Sequence, residues 1–285
     1  MSAERRTTPI LTAAALTAFA ANSILCRLAL RDGSIDAASF STIRIVAGAA
    51  TLFLLLRLRH PRHASRWPGS WTGAAALALY AVPFSFAYLS LGAGTGALLL
   101  FGAVQVTMVL ASIRRGVRPR PSQWAGLALA FGGLIYLFLP GITAPAPMGG
   151  ALMFIAGAAW GAYSLRGHGA EDALAETAGN FARAVPVVGV AWLLAFGTVH
   201  AQSSGIIWAV LSGAVASGVG YAIWYAALRH LTSVTAAAVQ LAVPLLAGLG
   251  GILLLDERLT FRLAVAAVLV LGGIGMTIAG RATTS

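Results

Sequence analysis

Aromatic, amide and hydroxyl side chains recur at helical spacing inside apolar stretches of the sequence. Tyr80, Phe84 and Tyr88 follow one another every four residues, and Trp160 and Tyr163 lie within one helical turn. A cavity built from such groups suits an amphipathic solute, because rings cover its apolar part and polar groups bond its polar part. The residues predicted to bind substrate are Asn22, Tyr80, Phe101, Gln105, Trp160, Tyr163, Tyr221, Trp224 and Gln240. Tyrosine and tryptophan also mark membrane interfaces and fill helix contacts, and we favour that role for Tyr88 and Tyr225, near the ends of their stretches.

Two arginines, Arg44 and Arg183, also lie inside apolar stretches. Arg44 is about eight residues from the end of its stretch, or roughly 12 Å along a helix, which is deep for a side chain that must reach water. One role for the pair is to bind a substrate carboxylate. The other is structural, with the guanidinium against helix-end carbonyls or loop acids such as Asp32 and Asp36, and we favour it because the pair is symmetrically repeated.

Acidic residues are absent from the middle of every apolar stretch. The eight acids are Glu4, Asp32, Asp36, Glu171, Asp172, Glu176, Asp256 and Glu257. A proton-coupled cation exporter needs a buried carboxylate that exchanges a proton for substrate, so the sequence favours facilitated diffusion down the gradient of the solute. A single cysteine, Cys26, and the absence of a Cys/His cluster predict neither a disulfide nor a metal site. No cofactor and no enzyme activity are expected, because no His, Asp or Glu residues cluster at one depth.

The elements that position these residues follow from the composition. Hydrophobic residues make up 59% and charged residues 9% of the 285 residues, whereas a soluble domain has about 45–50% and about 25%. So few charges exclude an ordinary soluble enzyme, a disordered chain and a nucleic-acid-binding module. We therefore predict an all-α polytopic membrane protein.

Ten apolar segments are long enough to cross a bilayer, which takes about 20 residues. They are Pro9–Leu30, Asp36–Leu56, Ser70–Leu91, Thr95–Ile113, Ser122–Leu139, Met148–Leu165, Thr177–Phe196, Ile206–Leu228, Ser233–Leu255 and Phe261–Ala279. All basic residues are arginines, and 13 of the 19 lie at the N-terminus, after the even-numbered segments or at the C-terminus. Arginine-rich loops stay in the cytoplasm, so this distribution predicts that both termini are cytoplasmic.

The two halves of the chain resemble each other at a period near 139 residues. Arg27 and Arg166 are separated by that distance, and so are Arg44 and Arg183. Each half carries five segments, and an odd number inverts the second half relative to the first, as in secondary transporters. We predict two inverted five-helix repeats, residues 1–143 and 144–285, with a substrate site between them and alternating access.

Several motifs resemble those of a known family, the EamA branch of the drug/metabolite transporter superfamily. Tyr225–Pro244 resembles its helix 8–9 signature, and Leu254–Thr260 resembles its Gly-Glu-x-Leu-Thr turn, with Asp256 where glycine is usual. Leu271–Gly275 and the Trp-Gly pair at Trp160 fit as well. The first half departs from the pattern, since Asn22, Gln105 and Arg118 stand where the second half has Gly161, Pro244 and Glu257.

Length and aromatic content resemble the YddG-type amino-acid exporters within this family. That resemblance implies export of amino acids, aromatic ones included, through a central cavity in the inner (plasma) membrane. A carrier of another metabolite, such as a nucleotide sugar or sugar phosphate, is the alternative. The expected partners are a small-molecule substrate and the lipid bilayer, without nucleic acid, and a monomer is one option for the assembly. Candidate hinges are Pro83, Gly220 (which aligns with Pro83) and Pro244, with a static kink as the alternative.

Overall fold

Ten helices make up the described part of the protein. The computed structural model describes residues 2–59, 68–114, 116, 120–141, 144–167, 172–195, 197, 199–231, 236 and 239–279. The helices are α1 (Ser2–Arg31), α2 (Ala37–Arg59), α3 (Trp71–Ala87), α4 (Ala93–Arg114), α5 (Pro121–Phe138), α6 (Pro147–Gly167), α7 (Ala173–Leu194), α8 (Ser203–Leu228), α9 (Ala242–Leu255) and α10 (Phe261–Ala279). The predicted all-α class is confirmed, and each predicted segment corresponds to one helix.

Seven of these helices are long and apolar enough to span a bilayer, whereas α3 and α9 are apolar but shorter. Large apolar side chains also point outward on many of them, an arrangement that a soluble protein would not tolerate. Examples on six different helices are Leu54, Leu79, Phe131, Leu193, Leu253 and Val268. Such outward apolar surfaces are typical of helices that contact lipid hydrocarbon.

Polar caps set the starts of several helices. The Asp36 carboxylate accepts a hydrogen bond from the backbone N–H of Ser39 at the start of α2. The hydroxyl of Ser70 and the carboxylate of Asp172 do the same at the starts of α3 and α7. These bonds satisfy N–H groups that have no partner within the helix.

Helix ends meet at two faces of the bundle. We call the face at which α1 begins the proximal face and the opposite one the distal face. At the distal face, Arg31 at the end of α1 donates to the carbonyl of Leu255 at the end of α9. At the proximal face, Gln123 near the start of α5 donates to the carbonyl of Thr277 near the end of α10. Successive helices are joined by short connections and so run in opposite directions, and these two contacts agree with that order.

Helices of the first half pack mainly on helices of the second. Three contacts occur in corresponding pairs. The contact α3–α6 corresponds to α8–α1, and the contact α4–α6 corresponds to α9–α1. The contact α3–α7 corresponds to α8–α2. The pairs α2–α7, α4–α9 and α5–α10 pack directly. Each of these contacts thus has a counterpart in which both helices are replaced by those five places away in the chain.

Part of the predicted span Ser233–Leu255, residues 233–235 and 237–238, lies outside the described residues. Continuous helix begins at Ala242, so Pro244 lies in the first turn of α9. A proline there forfeits no internal hydrogen bond, because the first N–H groups of a helix have no acceptor within it. Pro244 therefore closely follows a turn at residues 240 and 241, and its role as a hinge stays a prediction.

Some residues named by the arginine and acid patterns lie outside the described residues. They are Arg62, Arg66, Arg115, Arg118, Glu171 and Arg281.

Candidate functional site

A small cavity lies among five helices in the interior. Its walls come from α1, α3, α4, α6 and α8, and thus from both halves of the chain. The lining residues are Phe19, Asn22, Ser23, Tyr80, Phe84, Leu100, Phe101, Trp160, Ala216 and Tyr221. The cavity has room for about one water molecule, so this conformation is closed around it. Of the predicted binding residues, Asn22, Tyr80, Phe101, Trp160 and Tyr221 come together here.

A polar network forms one side of this site. The Arg44 guanidinium donates to the Tyr80 hydroxyl (Nη2 to Oη, 2.8 Å) and to the Ser217 hydroxyl (Nε to Oγ, 3.3 Å). The Asn22 amide also donates to Tyr80 (3.1 Å) and accepts from the hydroxyl of Ser212 (2.5 Å). Four helices, α1, α2, α3 and α8, are therefore joined through neutral side chains and one cation.

Aromatic rings form the other side. Trp160 on α6 lies between three tyrosines, with ring centroids 5.0 Å from Tyr80, 5.1 Å from Tyr221 and 5.5 Å from Tyr163. Phe19 of α1 meets Tyr221 edge-on at 5.8 Å. Rings at such distances and tilts attract one another beyond the area they bury. An aromatic ring of a solute that entered beside Trp160 could make the same kind of ring–ring contact.

Arg44 is 1% exposed and has no acidic partner within hydrogen-bonding range among the described residues. Its guanidinium carbon lies 5.0 Å from the centroid of the Tyr80 ring and 4.9 Å from that of Phe84, which adds cation–π attraction. Its Nη1 atom is buried and has no hydrogen-bond partner within the described ranges. Among the described residues Arg44 bonds Tyr80 and Ser217 rather than the loop acids Asp32 or Asp36, and the Asp36 carboxylate accepts from the backbone N–H groups of Ser39 and His200.

Arg183 does not join this site, although the repeat relates it to Arg44. It is half-buried and donates to the backbone carbonyls of Gly179 (3.0 Å) and Pro68 (3.4 Å) near the proximal face. The long side chain of Arg183 reaches the loop before α3, whereas the side chain of Arg44 packs behind Tyr80 in the interior. Arg183 thus bonds backbone carbonyls near the proximal face, whereas Arg44 bonds side chains beside the cavity, and the role of each arginine stays a prediction.

Four other predicted residues lie beside the cavity or away from it. Gln240 lies in the turn before α9, donates to the carbonyl of Ala236 and does not line the cavity in this conformation. Gln105 is buried on α4 one turn beyond Phe101 and does not line the cavity, and Trp224 packs against Phe19. Tyr163 stacks on Trp160, while its hydroxyl is 3.5 Å from that of Thr177.

Asn180, which the sequence patterns did not single out, joins three helices on the proximal side of the cavity residue Trp160. Its amide oxygen accepts from the backbone N–H of Ser70 (2.8 Å), and its amide nitrogen donates to the hydroxyl of Tyr163 (3.4 Å). Gly69, at φ +120°, lies against Asn180, where any Cβ would overlap it. This contact joins the start of α3 to α6 and α7.

At the distal face, Glu257 in the turn between α9 and α10 joins that turn to the starts and ends of first-half helices. Its carboxylate accepts from the backbone N–H of Ala93 (2.8 Å) and lies 3.5 Å from Arg27 Nε. Asp256, just before it, has φ 52° and ψ 30°, the left-handed conformation in which glycine is favoured. The replacement of a usual glycine by Asp256 thus keeps the turn.

The candidate hinges at Pro83 and Gly220 lie in different local structures. Pro83 is inside an otherwise continuous α3. Gly220 follows a π-helical segment, Ser212–Val219, that interrupts α8 and carries the two serine hydroxyls of the polar network. Such π segments are frequent at functional sites. The recurrence of Ser-Gly pairs at Ser212 and Ser217 is a signal for this segment, but apolar periodicity does not detect it.

Comparisons with known proteins agree with a transporter fold. Residues 147–279 match the model of a family described as the EamA-like transporter family. The chain is 52% identical over 277 residues to "Uncharacterized protein PA1977" of Pseudomonas aeruginosa, covering 97% of this chain and 96% of that protein. A solved structure titled only "Crystal structure of protein" is similar with a TM-score of 0.64 and 18% identity, over 96% of this chain and 98% of that chain. This last likeness shows a shared fold.

Proposed function

The chain belongs to the EamA-like transporter family, and we propose that it exports amino acids, aromatic ones included, across the inner membrane. The observation that carries this proposal is the central cavity, where the aromatic cluster around Trp160 faces the polar network of Asn22 and Tyr80. An aromatic amino acid has the matching parts, a ring and a polar end. A membrane transporter that binds a small molecule is what the family implies.

Alternating access accounts for the closed cavity. Room for about one water molecule cannot hold an amino acid, so helices must separate before substrate enters. In this proposal, the Asn180 contact closes the proximal side and the Glu257 contact closes the distal side. Opening one while the other stays closed exposes the cavity to one side of the membrane at a time, and we propose that α8 bends at its π segment near Gly220 and α3 at Pro83.

The two halves, residues 1–143 and 144–285, form inverted repeats in this proposal. The exchange of helix contacts five places along the chain supports it, and so does a family match that begins with α6 and ends with α10. The arginines Arg57, Arg59, Arg114, Arg120, Arg166 and Arg229 at the proximal face support cytoplasmic termini.

A carrier of nucleotide sugars or sugar phosphates receives less support. Phosphate recognition needs several cationic donors. Among the described residues, Arg44 alone is buried at the cavity, because Arg183 is bonded to backbone carbonyls.

Flux measurements in liposomes that contain the purified protein test the proposal. We expect saturable downhill movement of labelled phenylalanine or leucine without any ion gradient, since the described acids lie at helix ends or in loops. Trp160→Ala should raise the half-saturating concentration of phenylalanine roughly tenfold, because the ring loses its stacking partner. Trp124→Ala, at an exposed position on α5, is the matched control. Flux of sugar phosphates but not of amino acids would contradict the proposal.

A further inference from the structure

The guanidinium of Arg44 is a buried cation whose partners are all neutral. Two of its nitrogens donate to hydroxyls, those of Tyr80 and Ser217, and the third, Nη1, has no hydrogen-bond partner in the part of the chain that the structure describes. An ionised group in a membrane interior is costly unless an opposite charge or a full set of acceptors compensates it. The site therefore lacks an anion to pair with the guanidinium of Arg44 among the described residues.

The described acidic side chains do not supply this missing charge. Asp36, two turns away on the same helix, uses both carboxylate oxygens for the backbone N–H groups of Ser39 and His200. Glu257 is engaged with Ala93 and Arg27 at the distal face. Asp172 and Glu176 lie at the start of α7, where Asp172 caps the helix. A counter-charge has to come from outside this part of the chain.

Arg44 lies directly behind the wall of the cavity. The Tyr80 and Phe84 rings that its guanidinium covers both line the cavity, and the Tyr80 hydroxyl is shared with Asn22. A modest turn of Tyr80 on opening would place the guanidinium against a bound solute. A carboxylate is the group that a guanidinium binds best, through two parallel N–H···O bonds.

Among the described residues, the cavity lining offers no acidic side chain to a substrate ammonium group. The polar groups lining the cavity are the neutral side chains of Asn22, Ser23, Tyr80 and Tyr221. An ammonium would meet amide and hydroxyl groups and aromatic rings, but no carboxylate among the described residues.

We propose that Arg44 binds the carboxylate of the transported solute, and that this carboxylate, rather than the ammonium, is the group the site requires. The substrate class is then monocarboxylates with an apolar or aromatic body, of which amino acids are one case. This inference rests on the proposed function, because it concerns the same cavity.

Three probes that share a ring and a two-carbon spacer separate the two groups. 3-Phenylpropionate has only the carboxylate, phenethylamine has only the ammonium, and phenylalanine has both. Binding to the purified full-length protein in detergent is measured by ligand-dependent thermal stabilisation, which does not require transport. We expect phenylpropionate and phenylalanine to stabilise at similar concentrations and phenethylamine to need at least roughly tenfold more, since a site that pairs a charged group rejects analogues without it. A leucine, 4-methylpentanoate and isoamylamine series extends the test to an aliphatic body.

Variants assign the preference to Arg44. Arg44→Gln should abolish the difference between phenylpropionate and phenethylamine, and Arg44→Lys, which keeps the charge but loses the planar fork, should retain it with weaker binding of both acids. Arg183→Gln is the matched control, and it should leave the ratio unchanged whatever it does to stability. The ratio does not depend on how much of each preparation is folded.

Phenethylamine binding as well as phenylalanine, or an unchanged ratio in Arg44→Gln, would overturn the role of Arg44 while amino-acid flux in liposomes could still stand. If neither series binds and neither gives saturable flux, the proposed function fails and this inference with it.

Discussion

One hydroxyl group, that of Tyr80, joins the two sides of the candidate site. It accepts hydrogen bonds from Arg44 on α2 and from Asn22 on α1, while the ring of Tyr80 packs on Trp160 of α6. Removal of the hydroxyl leaves two buried donors without their acceptor. Such orphaned groups cost more than the hydrogen bond itself contributes.

Tyr80→Phe therefore should lower the free energy of unfolding by about 1–3 kcal/mol. Thermal melting of the purified protein in detergent measures this loss, and Tyr136→Phe on α5, outside the polar network, is the control. An unchanged melting temperature in Tyr80→Phe would mean that the network is not maintained in the folded protein.

A second residue, Asp36, links the start of α2 to the segment before α8 at the distal face. Burial opposes ionisation there, but hydrogen bonds from Ser39 and from the backbone N–H of His200 outweigh it and lower the pKa of Asp36. A carboxyl whose pKa is lower in the folded than in the unfolded state stabilises the fold at pH values above the unfolded-state pKa of about 3.9. That contribution is lost as the pH falls through the lower folded-state value.

Asp36→Asn should accordingly destabilise the protein at neutral pH, and its difference from the unsubstituted protein should shrink as the pH falls below about 4. Unfolding midpoints measured between neutral pH and pH 3 test this. Asp32→Asn, at an exposed side chain of the same loop, should show a much smaller effect. A difference that is constant over the whole range would contradict the assignment.

Sequence reasoning identified part of the site because residue type and depth carry information. Tyr80, Trp160, Tyr221 and Asn22 are costly toward lipid and therefore turn inward. Gln240 also avoids an unpaired polar group in lipid, because its amide donates to the backbone carbonyl of Ala236. Residue spacing alone does not distinguish this local bond from a place in the cavity wall. The side-chain contacts of Ser212 and Ser217 are not predictable from the sequence. Small hydroxyl groups are common in apolar helices, where they bond to backbone carbonyls as readily as to other side chains.

At the scale of elements, the close approach of α4 and α6 depends on glycine. A Cβ on Gly157 would overlap the backbone carbonyl oxygen of Leu100, and a Cβ on Gly161 would press on Thr107. Small residues allow helix backbones to approach within a membrane, where packing rather than the hydrophobic effect drives association. These two helices carry Phe101 and Trp160, so their spacing sets one dimension of the cavity.

Gly157→Ala should cost about 1–3 kcal/mol in stability, because the obstacle is backbone that cannot turn aside. Gly132→Ala on α5 is the matched control, since a Cβ there meets no atom within 4 Å and alanine favours the helix. The two melting temperatures should move in opposite directions or only the first should move. Equal losses would attribute the effect to substitution in general rather than to this contact.

The elements themselves were largely predictable, because about 20 apolar residues in a row have few alternatives to a spanning helix. The exceptions have local causes. Continuous helix in α9 begins at Ala242, after a turn at residues 240 and 241, with Pro244 in its first turn. The π segment of α8 adds a residue to a turn without changing the apolar composition, so apolar periodicity does not detect it, although its Ser-Gly pairs are a signal.

For the whole molecule, the proposed orientation can be tested by labelling. The single cysteine, Cys26, is fully buried, and Cys26→Ala gives a background without thiols. In that background, Asp32→Cys at the distal face should react with a membrane-impermeant thiol reagent in intact cells. His230→Cys at the proximal face should react only after the membrane is opened. The reverse pattern would place both termini outside the cytoplasm.

The fixed cation at Arg44 has an electrical consequence. Because the described membrane interior holds this charge and no acid, the carrier contributes no compensating charge of its own, and each transport cycle moves the net charge of its solute. A zwitterion then crosses without regard to voltage. A monocarboxylate carries one negative charge outward, and a cytoplasm 100 mV negative favours this by about 2.3 kcal/mol, or a roughly 50-fold ratio of concentrations. Membrane voltage alone would thus drive acids out of the cell while amino acids merely follow their own gradient.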